Sequence, residues 1–216
     1  MSPLCALLAA VATALAAFGP AGAAGAEPTA PASAAAIVAY HESGTWSRDT
    51  DAVIAEAQAQ LAAPVAGPRA LVLDVDDTSL SSYECLRRRG FDRSAGMSCA
   101  RAGRMPAIAQ TLGLFRTARE RGVAVVFITG RRERLRRTTI ANLERAGYSG
   151  GWTLVMRPNR ERAGTHAGFK ARRRQRIERR GVRIVANVGD QRSDLTGGGA
   201  MRTFKVPNPM YVIPTA

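Results

Sequence analysis

Lysine is almost absent from this sequence of 216 residues: of 31 basic residues, only Lys170 and Lys205 are lysine and the rest are arginine. Acidic residues are also few, 17 in all, so the formal net charge is +14. Such a charge is typical of nucleic-acid-binding proteins, but the excess of Arg and Ala indicates a coding bias as much as a selected basic face. We expect no specific nucleic-acid partner, although the positive surface should attract phosphate esters and other anions.

Long apolar runs are missing except at the N-terminus, where LCALLAAVATALAAF spans residues 4–18. The run breaks at a Gly-Pro pair and is followed by small residues, a pattern that predicts a signal peptide over 1–26 and hence a secreted protein. Residues 27–36 read as a short linker. Because no Lys or Arg precedes the run, an uncleaved membrane anchor and a start further upstream both stay open, although the run is short of the ~20 residues that a membrane span needs.

Cysteine is scarce as well, with three residues in the chain. Signal cleavage would remove Cys5 and leave Cys85 and Cys99, and an even pair in an oxidising compartment predicts a disulfide. It would close a loop of about 15 residues, which stabilises a fold by about 3 kcal/mol. The alternative is two free thiols buried as small hydrophobic side chains.

Short apolar runs alternate with amphipathic segments through the rest of the chain. The runs predict strands over 69–75, 123–130, 152–158 and 182–190, with a last short strand within 202–214. The amphipathic segments predict helices over 49–62, 107–122, 131–147 and 168–181. Residues 79–106 read as irregular and contain both remaining cysteines. This alternation predicts an α/β fold, a three-layer α/β/α sandwich with a mostly parallel, Rossmann-like sheet.

Chemically active side chains follow the predicted strands at the edge where parallel sheets bind ligands. They are Asp74, Asp76, Asp77 and Thr78 after the first strand, Thr129, Gly130 and Arg131 after the second, Lys170 near the start of a helix, and Asp190 and Asp194 after the fourth strand. The lysine stands out in a chain that otherwise uses arginine, since a lysine presents a compact point charge where arginine presents a planar fork. Four loops therefore bring carboxylates, a hydroxyl and an ammonium to one site.

This set of side chains favours magnesium chemistry. Crowded carboxylates become tolerable beside a divalent cation, and Mg²⁺ prefers oxygen ligands where Zn²⁺ takes His and Cys. The calcium-loop pattern D-x-D-x-D-G and the Walker A motif are both absent. A carboxylate beside Mg²⁺ can attack a phosphorus atom while a lysine holds the phosphoryl oxygens. A second carboxylate two residues on can protonate the leaving alcohol and then activate a water.

At this point four motifs, in order, resemble those of the haloacid dehalogenase-like (HAD) phosphatases: LDVDDTSL at 73–80, VVFITGR at 125–131, Lys170, and NVGDQRSDL at 187–195. More narrowly, YHESGTW, NLERAGY and the terminal FKVPNPMYVIP are similar to the class B-type acid phosphatases and plant vegetative storage proteins. Each motif alone is weak, but four in the right order on the right elements are specific. The resemblance covers most of residues 40–214.

The resemblance implies a role for each matching residue. Asp74 would be the nucleophile and a magnesium ligand, and Asp76 the general acid and base, with its backbone carbonyl on the metal. Thr129, Gly130 and Lys170 would bind the phosphoryl group, Thr129 and Lys170 as catalytic residues. Asp190 and Asp194 would complete the metal site, Asp190 with the better claim. For Asp77 we expect a supporting role in positioning the backbone.

These expectations predict a secreted, Mg²⁺-dependent acid phosphatase that hydrolyses phosphomonoesters through an aspartyl-phosphate. Its HAD-like domain would span 37–216, with 79–106 as a small cap over an open site of broad specificity. A response-regulator phospho-acceptor is disfavoured by the exported N-terminus and by Asp76. A non-catalytic binding or storage protein on the same fold is the remaining alternative, against which the presence of Asp74 and Asp76 weighs. After signal cleavage we expect no stable membrane insertion, and the sequence leaves the oligomeric state open.

Overall fold

The computed structural model describes residues 32–160 and 165–214 of the chain. The predicted signal peptide, over 1–26, lies outside these residues, as does the first half of the predicted linker. Residues 34–36 of that linker already belong to the first helix. Within the described ranges, no helix is long and apolar enough to cross a membrane.

Five parallel strands form one sheet in the order β3-β2-β1-β4-β5. Their bounds are β1 Arg69–Leu73, β2 Ala124–Arg132, β3 Trp152–Arg157, β4 Arg183–Gly189 and β5 Thr203–Lys205. The prediction of an α/β sandwich around a parallel sheet is confirmed. β1 lies in the centre, so the residues that follow it emerge at the middle of the sheet edge.

The described residues form eight α-helices around this sheet. They are α1 Ala34–Glu42, α2 Thr45–Gln60, α3 Tyr83–Arg87, α4 Gly96–Ala102, α5 Ala109–Glu120, α6 Arg136–Arg145, α7 His166–Glu178 and α8 Arg192–Leu195. Two 3₁₀ turns, Arg93–Ala95 and Glu133–Leu135, precede α4 and α6.

The sheet is covered on both faces, which explains the continuous apolar runs of its strands. Leu71 and Leu73 of β1 pack in a large cluster with side chains of α2 and α5 on one face. Ala70 and Val72 point to the other face, where they pack in a smaller cluster with Phe169 of α7. This alternation along β1 is the two-residue period of a strand, and it fixes which way the loop after β1 leaves the sheet.

Three parts of the secondary structure differ from the prediction. The segment 79–106 was expected to be irregular but contains α3 and α4, which are too short, at five and seven residues, to show a helical period. The helix expected over 131–147 begins at Arg136, because β2 continues to Arg132 and a 3₁₀ turn intervenes. α1 was not predicted, whereas the last short strand, Thr203–Lys205, lies within the predicted 202–214.

The disulfide predicted between Cys85 and Cys99 is present, and it joins α3 to α4. Cys99 is buried in the large core cluster, and Cys85 packs against it. We call the covalently linked pair α3 and α4 the cap helices. Since helices of this length are unstable alone, the covalent link and the core contacts hold them in place.

Replacing both cysteines tests how much the link contributes. The double variant Cys85→Ser, Cys99→Ser should lose up to about 3 kcal/mol of unfolding free energy, because its unfolded chain is no longer cross-linked. Urea unfolding of both proteins without reductant measures the difference. Wild type in reductant should match the variant; equal stability of oxidised wild type and variant would contradict the prediction.

Candidate active site

A cavity of about 300 Å³ opens at the carboxyl edge of the sheet. Its floor is built by the loops after β1, β2 and β4 together with α7, and its outer side by the cap helices and the segment after β5. The residues predicted from the motifs that line it are Asp74, Asp76, Asp77, Gly130, Arg131, Lys170, Asp190 and Asp194. The four loops therefore meet where the sequence indicated.

Three buried carboxylates and one buried ammonium form the centre of the cavity. Oxygen atoms of Asp74, Asp190 and Asp194 lie within 4.8 Å of one another. Lys170 donates hydrogen bonds to both Asp74 and Asp194, the latter over 2.6 Å. None of the four is more than 6% exposed, so their charges interact with little screening by water.

Local sequence explains how two of these residues reach the centre. Thr165 caps the N-terminus of α7 by accepting a hydrogen bond from the Gly168 amide, and Lys170 follows in the next turn. Asp194 lies in the short helix α8, where its carboxylate accepts a hydrogen bond from the Gln191 amide. Glycine is required at 189, because a Cβ there would overlap with the side chain of Asp194.

Asp190 is held by residues to which the sequence analysis gave no role. Thr78 donates to one carboxylate oxygen over 3.1 Å, and Gln191 and Asn208 donate to the other, each over 2.7 Å. Thr78 and Gln191 lie within the recognised motifs, where a hydroxyl or amide beside an acid is a usable signal. Asn208 lies between two prolines in a segment without periodicity, and only the resemblance of the terminal stretch FKVPNPMYVIP to the acid phosphatase family hinted at a role.

Asp76 is paired with Arg131 in a fork-to-fork arrangement. The guanidinium donates from Nη2 and Nε to the two carboxylate oxygens, over 2.7 and 3.0 Å. Arg131 itself is buried and also donates to Thr139, whereas the Asp76 side chain is 33% exposed. The arginine therefore fixes the direction of Asp76 while leaving the carboxylate open to the cavity.

Thr129 differs from the other predicted residues. Its side chain is fully buried, its hydroxyl accepts a hydrogen bond from the Arg131 amide over 3.1 Å, and it does not line the cavity. Gly130 lines the cavity in its place, and the ring of His166 lies so close that a Cβ on residue 130 would come within 2.6 Å of Nδ1. His166 thus belongs to the wall of the site.

Asp77 does not join the carboxylate cluster. Its backbone is left-handed, with φ of 54°, a conformation that Asp and Asn tolerate better than most residues. Its carboxylate accepts hydrogen bonds from the Ser82 amide over 2.7 Å and from the hydroxyls of Ser82 and Tyr211, each over 2.6 Å. Asp77 therefore connects the base of the cap helices to the C-terminal segment.

The electrostatics of the centre favour the binding of a further positive charge. Burial raises the pKa of Asp74 to about 7, although Lys170 acts in the opposite direction. Burial, with Asp194 and Asp74, raises the pKa of Asp190 well above its usual range. Burial would lower the pKa of Lys170, but Asp194 and Asp74 raise it overall. Three carboxylates around one ammonium fit a divalent cation with oxygen ligands.

The raised pKa of Asp74 leads to a prediction for the metal-free protein. Since ionising Asp74 costs more in the folded than in the unfolded chain, the unfolding free energy should fall as pH rises from about 4 through about 7. Asp74→Asn avoids this ionisation, so in EDTA at pH 7.5 it should be more stable than wild type by on the order of 2 kcal/mol. Urea unfolding of wild type and Asp74→Asn in EDTA, at about pH 4 and at about pH 7.5, measures this difference in stability.

Asp51→Asn is the matched control, because Asp51 is exposed on α2 and does not line the cavity. It should follow wild type at both pH values. An Asp74→Asn variant less stable than wild type at pH 7.5 in EDTA would contradict the prediction.

Comparison with protein families gives one match over most of the chain. The family model described as HAD superfamily, subfamily IIIB (acid phosphatase) matches residues 9–214. The match includes all four recognised motifs and the segment after β5.

Curated proteins give matches over about two thirds of the chain. Acid phosphatase 1 of Solanum lycopersicum is 38% identical over 148 residues, which are 66% of this chain and 58% of that protein. Vegetative storage protein 1 of Arabidopsis thaliana is 31% identical over 150 residues, 67% of this chain and 55% of that protein. The chain thus spans less than two thirds of the length of these relatives.

Among solved structures, the class C acid phosphatase from Bacillus anthracis has a TM-score of 0.68 to this chain, with 20% sequence identity. The likeness covers 82% of this chain and 84% of that one. At this identity the comparison bears on the fold, and it agrees with the parallel sheet and its helices.

Proposed function

The chain belongs to the acid phosphatases of HAD superfamily subfamily IIIB, and from this we propose that it hydrolyses phosphomonoesters in an Mg²⁺-dependent reaction through an aspartyl-phosphate. One observation carries the proposal. Asp74 lies buried at the floor of the cavity, where it accepts a hydrogen bond from Lys170 and lies beside Asp190. Asp76, two residues further on, lines the same cavity. A nucleophile, a charge-balancing group and a proton carrier are thus within one site.

The carboxylates of Asp74 and Asp190 and the backbone carbonyl of Asp76 would hold the metal ion, with Asp194 beside them. Asp194 accepts a hydrogen bond from the charged Lys170, whereas the donors to Asp190 are all neutral, a hydroxyl and two amide groups. This difference supports Asp190 as the stronger ligand and Asp194 as the anchor of Lys170. When bound, Mg²⁺ would balance the negative charge of the phosphoryl oxygens and of Asp74.

The residues of the chain would divide the reaction into two displacements. The Asp74 carboxylate attacks phosphorus, the bond to the leaving oxygen breaks, and Asp76 gives that oxygen a proton. A water then loses a proton to Asp76 and attacks the phosphorus, which releases inorganic phosphate and restores Asp74. Lys170 and the Gly130 backbone would hold the phosphoryl oxygens, and the buried Thr129 would support the loop that contains Gly130 through its hydrogen bond from the Arg131 amide.

Phosphate release in the presence and absence of metal tests the proposal. Wild type should hydrolyse p-nitrophenyl phosphate with Mg²⁺ and lose this activity in EDTA. Asp74→Asn should lower kcat by more than about 10²-fold, because the variant lacks the nucleophile. Asp76→Asn should lower kcat by about 10²- to 10⁴-fold, because the amide cannot carry the proton.

Asp51→Asn serves again as the control and should retain wild-type activity. Turnover that survives Asp74→Asn would exclude the aspartyl-phosphate. A phosphoenzyme trapped on Asp74 and detected by mass spectrometry would support it directly.

The pairing of Asp76 with Arg131 gives a further prediction. Arg131→Lys should lower kcat by about tenfold with little change in KM, since a lysine cannot hold both carboxylate oxygens and Asp76 loses its fixed direction. Arg136→Lys is the matched control: Arg136 makes the same two-pronged contact with Glu133, over 2.7 and 2.8 Å, outside the cavity. Equal kcat values for the two variants would contradict the role of Arg131.

We also propose that the protein is secreted, with the signal peptide over 1–26, a linker over 27–36, and the phosphatase domain over 37–216 with 79–106 as its cap. The disulfide supports an oxidising compartment. The cap helices are only five and seven residues long, too small for a full lid, which supports a broad range of phosphomonoester substrates. N-terminal sequencing of the exported protein would locate the cleavage site.

A non-catalytic storage protein is the second candidate, and the similarity to vegetative storage proteins favours it. The intact set of Asp74, Asp76, Lys170 and Asp190 weighs against it. Absence of turnover on a varied panel of phosphomonoesters, with Mg²⁺ bound, would favour this candidate.

A further inference from the structure

The side of the cavity that faces away from the carboxylate cluster is formed by two walls. The cap helices provide Leu86, Met97 and Ala100, and the segment after β5 provides Tyr211 and Ile213. These five side chains are mostly apolar, and the turn between the cap helices adds the polar side chains of Arg93 and Ser94. In a phosphatase that binds the phosphoryl group at Asp74 and Lys170, this side receives the leaving group.

Neither wall is part of the sheet, so each needs its own attachment. The cap helices are joined by the disulfide next to Leu86 and Ala100. The C-terminal segment is held by the side chain of Gln191, which accepts from the Ile213 amide over 2.8 Å and donates to the Tyr211 carbonyl over 3.2 Å.

Asp77 is the residue that joins the two walls to each other. One carboxylate binds Ser82, directly before α3, and the Tyr211 hydroxyl, 134 positions further along the chain. Asp77 is 4% exposed, and a buried charged group that receives three hydrogen bonds holds its donors firmly. Burial raises the pKa of Asp77 to about 6, although its hydrogen bonds from Ser82 and Tyr211 act in the opposite direction. Its carboxylate is outside the cluster of Asp74, Asp190 and Asp194.

We propose that Asp77 is a positioning residue that sets the distance between the cap helices and the C-terminal segment and thereby shapes the leaving-group side of the site. This inference rests on the proposed phosphatase function. It assigns Asp77 to the recognition of the leaving group and separates it from the phosphoryl and metal chemistry of its neighbours Asp74 and Asp76. Loss of the hydrogen bonds by which Asp77 connects the two walls should weaken the binding of large apolar leaving groups and leave the binding of small polar ones unchanged.

The test compares two substrates that share the phosphoryl group. 1-Naphthyl phosphate fills the leaving-group side, and glycerol phosphate presents a small polar group. Tyr211→Phe removes the hydroxyl that reaches Asp77 and keeps the ring in the wall. We expect the ratio of kcat/KM for naphthyl over glycerol phosphate to fall about five- to tenfold, through KM, with the inhibition constant of inorganic phosphate unchanged.

Tyr40→Phe is the matched control. Tyr40 donates a hydrogen bond of the same length, 2.6 Å, to Asp49, and neither residue lines the cavity. Its substrate ratio should equal that of wild type. Asp77→Asn provides a second variant, since Asn tolerates the left-handed backbone and can still accept from the Ser82 amide; its ratio should fall in the same direction as that of Tyr211→Phe.

A second measurement is independent of turnover. Amide hydrogen exchange of peptides covering 83–90 and 207–214 should be faster in Tyr211→Phe and Asp77→Asn than in wild type and Tyr40→Phe. Unchanged exchange in both peptides would contradict the proposal that Asp77 connects the cap helices to the C-terminal segment. A rise in the phosphate inhibition constant equal to the rise in KM overturns the assignment to the leaving group. If wild type hydrolyses no phosphomonoester, the proposed phosphatase function is wrong. The amide hydrogen exchange of the two peptides then still decides whether Asp77 connects the two walls.

Discussion

One buried ammonium, that of Lys170, is the interaction on which the site depends. It lies between Asp74 and Asp194, which follow the neighbouring strands β1 and β4, and without it the carboxylates would meet in a poorly hydrated space. A buried ion pair is weak evidence for stability, because desolvation offsets much of the Coulombic attraction. The contribution of the ion pair here is geometric, because Lys170 of α7 holds Asp74, which follows β1, beside Asp194 of α8.

The sheet makes this alignment possible. β1 lies between β2 and β4, so three loops that are far apart in sequence leave the sheet side by side. Lys170 lies in the second turn of α7, the helix that packs on the sheet face with the smaller apolar cluster. Reactive groups on such rigid elements hold their geometry better than groups on long loops.

Much of this could be predicted from the sequence, because each motif residue directly follows an apolar run or opens a helix. Asp74, Lys170 and Asp190 were therefore expected together, and their roles now stand as the proposed function. Partners joined by tertiary contacts could not be predicted: Arg131 pairs with an acid 55 positions earlier, and Tyr211 reaches one 134 positions earlier. The cap helices were missed because five to seven residues contain too little periodicity.

The segment after β5 has a consequence for the order of assembly. Asp77 is synthesised 134 residues before Tyr211, which donates a hydrogen bond to it, whereas Asp190 precedes its donor Asn208 by 18 residues. A growing chain therefore contains the loop after β1 long before Tyr211 is available to join the wall of the cavity. The C-terminal segment can complete that wall only by docking onto a loop that is already present, so the cavity closes late in synthesis.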